Sequence, residues 1–465
     1  MPADPDTIPR LLAERRRDDA DVQALVDGAG AITYVELDDV SRATAARLVA
    51  AGVTKGDRVG LQMRNGIDWA TTALAVMRIG AVLVPLSTLL RPPELQAQLD
   101  TASVTRLIAD ADDVPRDAAP EATVRALEDV IRPADDLAIV FTSGSRGAPK
   151  GVIHTHGSAL RATASGLDAR CVGRGERLYI PMPFFWTGGF GGGLLTVLAA
   201  GATLLTEAAP EPGRTLAFLE RERVTLFRGW PDQAARLAAH PAFATTDLSS
   251  LRPGSLAGVL PPEQRPAPGA RANLFGMTES CGPYCGDRLD VDLPAEKHGS
   301  CGRPFPGVEV RIAEPDGEIW LRGPNLMRGI CGRERSTVFT ADGWYRTGDL
   351  GRLDDDGYLW YSGRLDDMFK VKGATVYPSE VEAALRSVPG VAHAHVTDVD
   401  GQVGAMLVSS LDHAELTEAV RSRLSSFKVP TVWLVTTDAT AVPTSATGKV
   451  DKGRLQQLLA RRGTT

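Results

Sequence analysis

Short apolar runs alternate with longer amphipathic segments along the first half of the chain. Residues 57–61 (DRVGL) have the length and composition of a buried strand, and residues 68–79 (DWATTALAVMRI) have apolar side chains at helical spacing until Gly80 ends the segment. Another strand is predicted at residues 137–141, followed by a helix near residues 158–169. This alternation predicts parallel sheets that are covered by helices, so the predicted fold class is α/β.

The pattern changes in two later stretches. Residues 110–136 are rich in Asp, Pro and Ala and are predicted to be mostly surface loop. From about residue 307 to residue 361, short apolar runs are separated by Gly, Asp and Pro, which is typical of antiparallel β structure. Beyond residue 364, helices at residues 378–388 and 452–460 flank short strands, which indicates a compact α+β unit. The predicted domains are therefore 1–364, with a β-rich part at about 300–362, and 365–465.

Composition narrows the function class only slightly. The chain has 465 residues, 43% of them hydrophobic, and a net charge of −7, which excludes a wholly disordered chain and argues against a non-specific nucleic-acid or membrane binder. No apolar run approaches the ~20 residues of a membrane-spanning helix, and the acidic N-terminus does not resemble a secretory signal. The five cysteines, an odd number, favour the reducing cytoplasm over a disulfide-bonded compartment.

A glycine-rich loop follows the strand predicted at residues 137–141. The segment FTSGSRGAPKGV (141–152) combines glycines, hydroxyl side chains and Lys150, which suits a polyphosphate. It is not a Walker A loop, because Pro149 precedes the lysine and Gly151 follows it. A P-loop kinase or GTPase is therefore disfavoured, and an ordinary glycine-rich turn is the alternative.

Four further motifs follow in order: LFGMTE (274–279), YRTGDL (345–350), GRLDDMFKVKGATVYPSEVE (363–382) and PTSATGK (443–449). With the loop and residues 33–85, they resemble the adenylate-forming superfamily of acyl- and aryl-CoA ligases, peptide-synthetase adenylation domains and beetle luciferases. The resemblance covers nearly the whole chain. It implies a large N-terminal domain of two mostly parallel sheets with flanking helices plus a small β-barrel, followed by a small mobile α+β C-terminal domain.

The resemblance also implies the chemistry. A carboxylate and ATP would form an acyl-adenylate and pyrophosphate, and a thiol would then attack the acyl group, with ATP, Mg²⁺ and CoA as cofactors. The first step requires that two anions are brought together and that the developing charge is neutralised.

The phosphate-binding residues are implied by the same resemblance. Lys150 would supply a mobile positive charge. Arg146 stands where the family usually has threonine, and it could contact phosphate or disturb the metal geometry. The residues expected around the β- and γ-phosphates are Thr142, Ser143, Gly144, Ser145, Arg146 and Lys150.

The LFGMTE motif would bind the rest of the nucleotide. Phe275 would lie against the adenine, and Gly276 belongs to the same cofactor-binding motif. Thr278 would hydrogen-bond the α-phosphate, and Glu279 would ligate Mg²⁺, since a hard cation suits a carboxylate ligand. Thr142 is expected as a second metal ligand.

The last three motifs imply ribose binding, catalysis and a hinge. Asp349 would accept hydrogen bonds from the ribose hydroxyls, with Arg364 assisting. Lys449 would stabilise the adenylation transition state, and it joins Glu279 and Thr278 as an expected catalytic residue. Asp366 would be the hinge about which the C-terminal domain rotates, and Gly373 would then line a pantetheine tunnel.

The acyl-binding segment departs from the family pattern. Trp186, in PFFW (183–186), stands where many acyl-CoA ligases have histidine, and the glycines after it would leave room for an acyl group. The expected substrate-binding residues are Phe184, Trp186, Gly188 and Phe190, with ordinary core packing as the alternative for the aromatic ones.

Two pairs of potential ligands lie beside the motifs. His154 and His156 are interpreted as loop or helix-start residues, and Cys281 and Cys285 as packing thiols rather than metal ligands.

The leading functional hypothesis is a ligase that joins an apolar carboxylic acid, aromatic, alicyclic or medium-chain, to CoA. An amino-acid-adenylating enzyme is disfavoured, because residues 183–199 contain no Asp or Glu to bind an ammonium group. A stand-alone enzyme that loads an acyl carrier protein stays open. A ligand-binding pseudoenzyme, suggested by Arg146, is disfavoured because Glu279, Asp349 and Lys449 are all present. Neither a nucleic-acid partner nor stable membrane insertion is expected.

Overall fold

A computed structural model describes residues 6–142, 150–365, 367–371, 374–421, 423–444 and 450–462. A π-helical stretch, Phe190–Leu195, joins two of the α-helices. In chain order the α-helices are α1 (Ile8–Asp18), α2 (Tyr34–Ala50), α3 (Ile67–Arg78), α4 (Pro92–Ala102), α5 (Glu121–Asp129), α6 (His156–Ser165), α7 (Thr187–Gly189), α8 (Thr196–Ala200), α9 (Pro212–Arg221), α10 (Pro231–Ala238), α11 (Arg335–Val338), α12 (Pro378–Arg386), α13 (His413–Arg421) and α14 (Lys452–Arg462).

The strands of the N-terminal half are mostly short. They are β1 (Gln23–Val26), β2 (Ala31–Thr33), β3 (Arg58–Leu61), β4 (Val82–Pro85), β5 (Arg106–Ile108), β6 (Asp136–Thr142), β7 (Lys150–Thr155), β8 (Arg177–Tyr179), β9 (Thr203–Leu205), β10 (Leu226–Phe227), β11 (Phe275–Met277) and β12 (Gly282–Gly286).

The remaining strands include the longest ones. They are β13 (Arg303–Pro304), β14 (Glu309–Ala313), β15 (Glu318–Arg322), β16 (Gly329–Ile330), β17 (Tyr345–Leu353), β18 (Leu359–Arg364), β19 (Phe369–Val371), β20 (Ala374–Val376), β21 (Val391–Val399), β22 (Gln402–Ser409) and β23 (Val432–Thr436).

A five-stranded sheet in the order β10-β8-β9-β1-β2 is parallel except for its terminal hairpin, β1–β2. One buried leucine from each parallel strand stands in register across it, so that Leu226, Leu178, Leu204 and Leu25 form a continuous apolar row. Such short, wholly apolar strands are stable only when helices cover the sheet, as the alternating sequence predicts.

A six-stranded sheet in the order β16-β7-β6-β4-β3-β5 forms the second layer. Strands β3, β4, β5 and β6 run parallel, whereas β7 and β16 extend one end of the sheet with antiparallel pairings. The predicted strand at residues 57–61 and helix at residues 68–79 are confirmed as β3 and α3. The prediction of two mostly parallel sheets is thereby confirmed.

Four smaller sheets complete the described structure. Three of them have the orders β11-β12-β13, β14-β15-β17-β18 and β21-β22-β23, and β19 pairs with β20. The chain divides into two compact units. The first comprises Met1–Val310, Leu321–Tyr345 and Asp354–Leu359, and the second comprises Arg311–Trp320, Arg346–Leu353 and Trp360–Thr465.

One helix was not predicted from the sequence. Residues 110–136, predicted as mostly loop, contain helix α5, which is anchored by the fully buried Val124 with Leu127 packed on the same core. No helix in the described part of the chain combines the length and the apolar character needed to cross a membrane.

Candidate active site

The ends of the glycine-rich loop are held together by a strand pair. Strands β6 and β7 pair antiparallel, and their last paired residues before the loop are Thr142 and Lys150. A hydroxyl-bearing residue and a lysine therefore stand opposite each other at the base of the loop. The predicted phosphate-binding residues between them, Ser143, Gly144, Ser145 and Arg146, lie outside the described residues.

The second motif folds into a tight turn at the end of strand β11. Residues Thr278–Ser280 form one turn of 3-10 helix, which Cys281 closes with a φ of 57°. The hydroxyl of Ser280 donates to the carbonyl oxygen of Gly282, 2.7 Å away. The turn buries the side chain of Glu279 but leaves its carboxylate within reach of the hydroxyl of Tyr345, which donates to Oε1 over 3.1 Å.

A histidine connects this turn with the strand that leaves the loop. The imidazole Nε2 of His154, on β7, lies 2.8 Å from the carbonyl oxygen of Thr278. His154 is fully buried, and burial lowers its pKa to about 4, so the ring is neutral and Nε2–H donates. His154 is therefore part of the site's framework, and its interpretation as a loop residue is wrong.

The neighbouring His156 is the first residue of α6. Its ring is fully buried, and Nδ1 accepts a hydrogen bond from the backbone N–H of Ile8 over 3.2 Å. This position agrees with its interpretation as a helix-start residue.

Phe275 and Gly276 precede the turn on β11. The half-buried ring of Phe275 packs edge-on against Tyr284, with ring centroids 5.6 Å apart. A Cβ atom on Gly276 would stand 2.2 Å from the carbonyl oxygen of Gly282, because β12 approaches so closely. The strand pair alone therefore requires glycine at this position, and a contact between Gly276 and a cofactor stays a prediction.

The second unit brings Asp349 and Arg364 together. Asp349 lies on β17 and Arg364 ends β18, and Nη1 of the arginine donates to Oδ1 of the aspartate over 2.9 Å. Gly348 turns the chain beside them with a φ of 72°, and a Cβ there would approach Nη2 of Arg364 to 2.8 Å. The arginine holds the buried carboxylate of Asp349 in a defined orientation. Such a carboxylate suits the recognition of two vicinal hydroxyl groups.

The predicted acyl-binding residues divide into two groups. Phe184 and Phe190 are fully buried and pack edge-on against Trp69, with ring centroids 5.1 and 6.3 Å away. Trp186 and Gly188 are half-buried. Phe184 and Phe190 thus contribute to the core, and their role in binding an acid stays a prediction.

Glycines let this acyl-binding segment pack against the backbone. A Cβ on Gly189 would stand 2.2 Å from the carbonyl oxygen of Pro183, and one on Gly191 would stand 2.8 Å from that of Cys281. The glycine-rich segment therefore lies directly against the chain that follows the Glu279 turn.

The remaining predicted residues lie outside the described chain: Lys449, Asp366 and Gly373. The residues that flank two of these gaps pair with each other across the gap. Thr444 and Val450 form a bridge around residues 445–449, and Val371 pairs with Ala374 around residues 372–373.

Within the described ranges, no three His, Cys, Asp or Glu side chains form a metal-binding group. Cys281 and Cys285 are buried, and burial raises the pKa of Cys281 to about 12, as expected of packing thiols.

Comparison with known proteins assigns the family. A family model described as AMP-binding enzyme matches residues 12–331. The chain is 33% identical over 508 residues to 3-[(3aS,4S,7aS)-7a-methyl-1,5-dioxo-octahydro-1H-inden-4-yl]propanoyl:CoA ligase of Mycobacterium tuberculosis, covering 97% of this chain and 99% of that protein. The chain belongs to the AMP-binding enzyme family.

Two further similarities define the branch. The chain is 34% identical to a feruloyl-CoA synthase of an Amycolatopsis species, and the match covers 93% of this chain and 95% of that protein. Among solved structures, o-succinylbenzoate coenzyme A synthetase of Bacillus subtilis, in complex with ATP and magnesium, matches with a TM-score of 0.79 and 26% identity, covering 96% of this chain and 99% of the other. The AMP-binding enzyme is therefore an AMP-forming acid–thiol ligase of the acyl- and aryl-CoA ligase branch, and its cofactors are ATP, Mg²⁺ and CoA.

The Glu279 turn of this AMP-binding enzyme fits a nucleotide-bound magnesium ion. The carboxylate of Glu279 is buried, and no ion pair with a lysine or arginine is found among the side chains that the structure describes. A buried, uncompensated carboxylate is costly, and a divalent cation would offset its charge. Sequence reasoning located Glu279 but missed Tyr345 as its hydrogen-bond partner, although Tyr345 is the first residue of the YRTGDL motif.

Proposed function

We propose that this enzyme activates an apolar carboxylic acid, aromatic, alicyclic or medium-chain, as an acyl-adenylate and transfers the acyl group to the thiol of CoA. The observation that carries the proposal is the buried Glu279 carboxylate, held beside Tyr345 in a turn that His154 connects to the base of the glycine-rich loop. Two relatives, named as ligases of a dioxo-indenyl propanoic acid and of ferulic acid with CoA, support an acid with a largely apolar skeleton.

In the first step, one oxygen of the carboxylate attacks the α-phosphorus of ATP, and pyrophosphate leaves. Lys150 and the loop residues 143–146 would bind the β- and γ-phosphates, and Thr278 would hydrogen-bond the α-phosphate. Lys449 would stabilise the charge that develops between the two anions, where a fixed positive charge has its largest effect. Magnesium, held by Glu279 and Thr142, would neutralise part of the phosphate charge.

In the second step, the sulfur of CoA attacks the acyl carbon, the thiol proton passes to solvent, and AMP leaves with the bridging oxygen. We propose that a C-terminal domain, residues 365–465, turns about Asp366 between the two steps and brings Gly373 to the pantetheine chain. Exclusion of water during this change protects the acyl-adenylate from hydrolysis.

An apolar substrate agrees with the composition of the acyl-binding segment. Residues 183–199 contain no Asp or Glu, and Trp186 and Gly188 are the half-buried members of the predicted acid-binding set. An ammonium-bearing acid would lack a carboxylate partner in this segment. We also propose that the enzyme is cytoplasmic, because five cysteines, an odd number, favour a reducing compartment.

The test is product analysis with ATP, Mg²⁺ and a panel of carboxylic acids, with and without CoA, for wild type and Lys449→Ala. We expect AMP and an acyl-CoA thioester that require both an apolar acid and CoA, with loss of both products in the variant. Acyl-adenylate that forms but reacts only with an added acyl carrier protein would contradict CoA as the acceptor. Release of AMP only with amino acids would contradict the proposed substrate class.

A further inference from the structure

Among the described residues, one buried arginine forms no ion pair with a carboxylate. Arg15, Arg78 and Arg170 are each at most 5% exposed. Arg15 pairs with Asp19, and Arg78 pairs with Asp38 and Glu128. No such ion pair is found for Arg170 within the described chain, although a buried charge normally requires one.

The hydrogen bonds of Arg170 compensate little of its charge. Among the described residues, its guanidinium makes one hydrogen bond, from Nη1 to the carbonyl oxygen of Thr163 over 3.0 Å. That carbonyl belongs to the last turn of α6, where a cation is favoured. A helix end carries only about half an elementary charge, so the remaining guanidinium donors are available for another acceptor.

The guanidinium faces the chain that follows the Glu279 turn. Its Nη2 atom lies 3.7 Å from the point where a Cβ of Gly282 would stand, and no other non-adjacent atom of the described residues lies within 4 Å of that point. Gly282 has a φ of 124°, which excludes other residues, so the space beside Nη2 is kept free of a side chain.

The same stretch contacts the acyl-binding segment. Cys281, which precedes Gly282, carries the carbonyl oxygen against which Gly191 packs. Arg170 is close enough to Cys281 for its charge to oppose the burial-induced rise in the thiol pKa. A series of contacts therefore leads from the acyl-binding segment to a guanidinium that has no ion pair among the described residues. It runs through Gly191, Cys281, Gly282 and Arg170.

We propose that Arg170 is a specificity-determining residue that receives an oxygen acceptor carried by the acid at a distance from its reacting carboxylate. This inference rests on the proposed function. The substrate class becomes an apolar acid with a remote carbonyl, hydroxyl or carboxylate oxygen. A site with a buried donor discriminates strongly against the analogue that lacks the acceptor, because the donor is then left unsatisfied.

The test compares three acids with one skeleton: 3-cyclohexylpropanoic acid and its ring derivatives with a 4-oxo or a 4-carboxy group. The readout is kcat/KM for AMP release with wild type, Arg170→Met and Arg170→Lys. We expect wild type to prefer at least one oxygen-bearing acid over the unsubstituted acid by about 30-fold or more. A preference of this size corresponds to the contribution of one hydrogen bond to a charged group. The better of the two derivatives identifies the acceptor as a neutral oxygen or an anion.

In Arg170→Met the preference should fall to about threefold or less, because the thioether side chain offers no donor to the remote oxygen. Arg170→Lys keeps the charge but loses the planar fork, so it should lower the preference only in part, and it substitutes for Arg170→Met if that variant does not fold. Arg177→Gln is the matched control, because this arginine of β8 pairs with Glu222 and Gln23. Its substitution should affect all three acids equally.

A wild-type preference below threefold, or a preference that survives in both Arg170 variants, would overturn the inference and leave the proposed function intact. Failure of every acid in the panel to give AMP would contradict the proposed function and the inference together.

Discussion

The imidazole of His154 donates a hydrogen bond of 2.8 Å to the backbone oxygen of Thr278, 124 residues away in the chain. This bond joins strand β7, which leaves the glycine-rich loop at Lys150, to the turn that carries Glu279. One neutral, buried ring thus helps to set the relative position of Lys150 and Glu279, the proposed phosphate-binding and metal-binding residues.

We predict that His154 positions the Thr278–Glu279 turn for ATP. His154→Leu removes the donor and leaves a buried carbonyl unsatisfied, which costs about 1–3 kcal/mol, so kcat/KM for MgATP should fall about 10- to 100-fold. His154→Gln can still donate from its amide and should recover activity to within a few-fold of wild type. If both variants had the kcat/KM of wild type and only a lower melting temperature, the histidine would be merely structural.

Acid should destabilise the protein through the same histidine. Burial lowers the pKa of His154, and that of His156, from 6.5 to about 4. The unfolded chain therefore binds protons first, so the contribution of each ring is complete above pH 6.5 and is lost as the pH falls towards 4. As the pH falls through this window, the titration of each ring should lower the free energy of unfolding by about 1.4 kcal/mol per pH unit.

Urea denaturation between pH 7 and pH 4 measures this dependence. The slope for His154→Gln should be smaller than that of wild type by one histidine's share. A slope unchanged by the substitution would contradict a buried neutral ring at His154.

We predict that Tyr345 orients the metal-binding carboxylate of Glu279. Glu279→Gln removes the charge and should lower acid-dependent AMP release by about 100-fold or more, since electrostatic stabilisation is the largest contribution to this step. Tyr345→Phe removes the 3.1 Å hydrogen bond to Glu279 but keeps the ring, and it should raise the Mg²⁺ concentration for half-maximal rate a few-fold. Titration of the initial rate with Mg²⁺ checks both, and an unaltered Mg²⁺ dependence in Glu279→Gln would argue against metal binding there.

Ribose recognition by Asp349 predicts a nucleotide preference. Wild type should use ATP more efficiently than 2′-deoxy-ATP or 3′-deoxy-ATP by about 10-fold or more, because each deoxy analogue lacks one of the two hydroxyls that would donate to Asp349. Asp349→Ala should lose this preference, whereas Arg364→Lys should keep part of it, since a cation still neutralises the carboxylate. The measurement is the ratio of kcat/KM values, and an Asp349→Ala enzyme that still discriminates would contradict the assignment.

The sequence predicted the elements whose own pattern decides their structure. Helix α3 and strand β3 have apolar positions at unambiguous spacing, and both are confirmed. Helix α5 was missed because the segment around it is rich in Asp, Pro and Ala, and only Val124 and Leu127 mark its buried face. In such a segment tertiary packing, rather than local propensity, decides the structure.

The site was predictable where function resides in contiguous motifs. Thr278, Glu279, Asp349 and Arg364 could be located by their motifs, although their roles stay predictions. Two features could not be predicted, because each depends on residues far apart in the chain. These are the bond between His154 and Thr278 and the absence of an ion pair for Arg170 among the described residues. Gly276 shows the converse case, since the approach of β12 is sufficient to require its glycine.

The central claim, that the acid is activated as an adenylate, is tested most directly by labelling both carboxylate oxygens of an accepted acid with oxygen-18. After turnover with ATP, Mg²⁺ and CoA, mass spectrometry of AMP should show one labelled oxygen, because the carboxylate oxygen that attacks the α-phosphorus leaves with AMP when the thiol attacks. Unlabelled AMP, or label in inorganic phosphate together with ADP, would contradict the account.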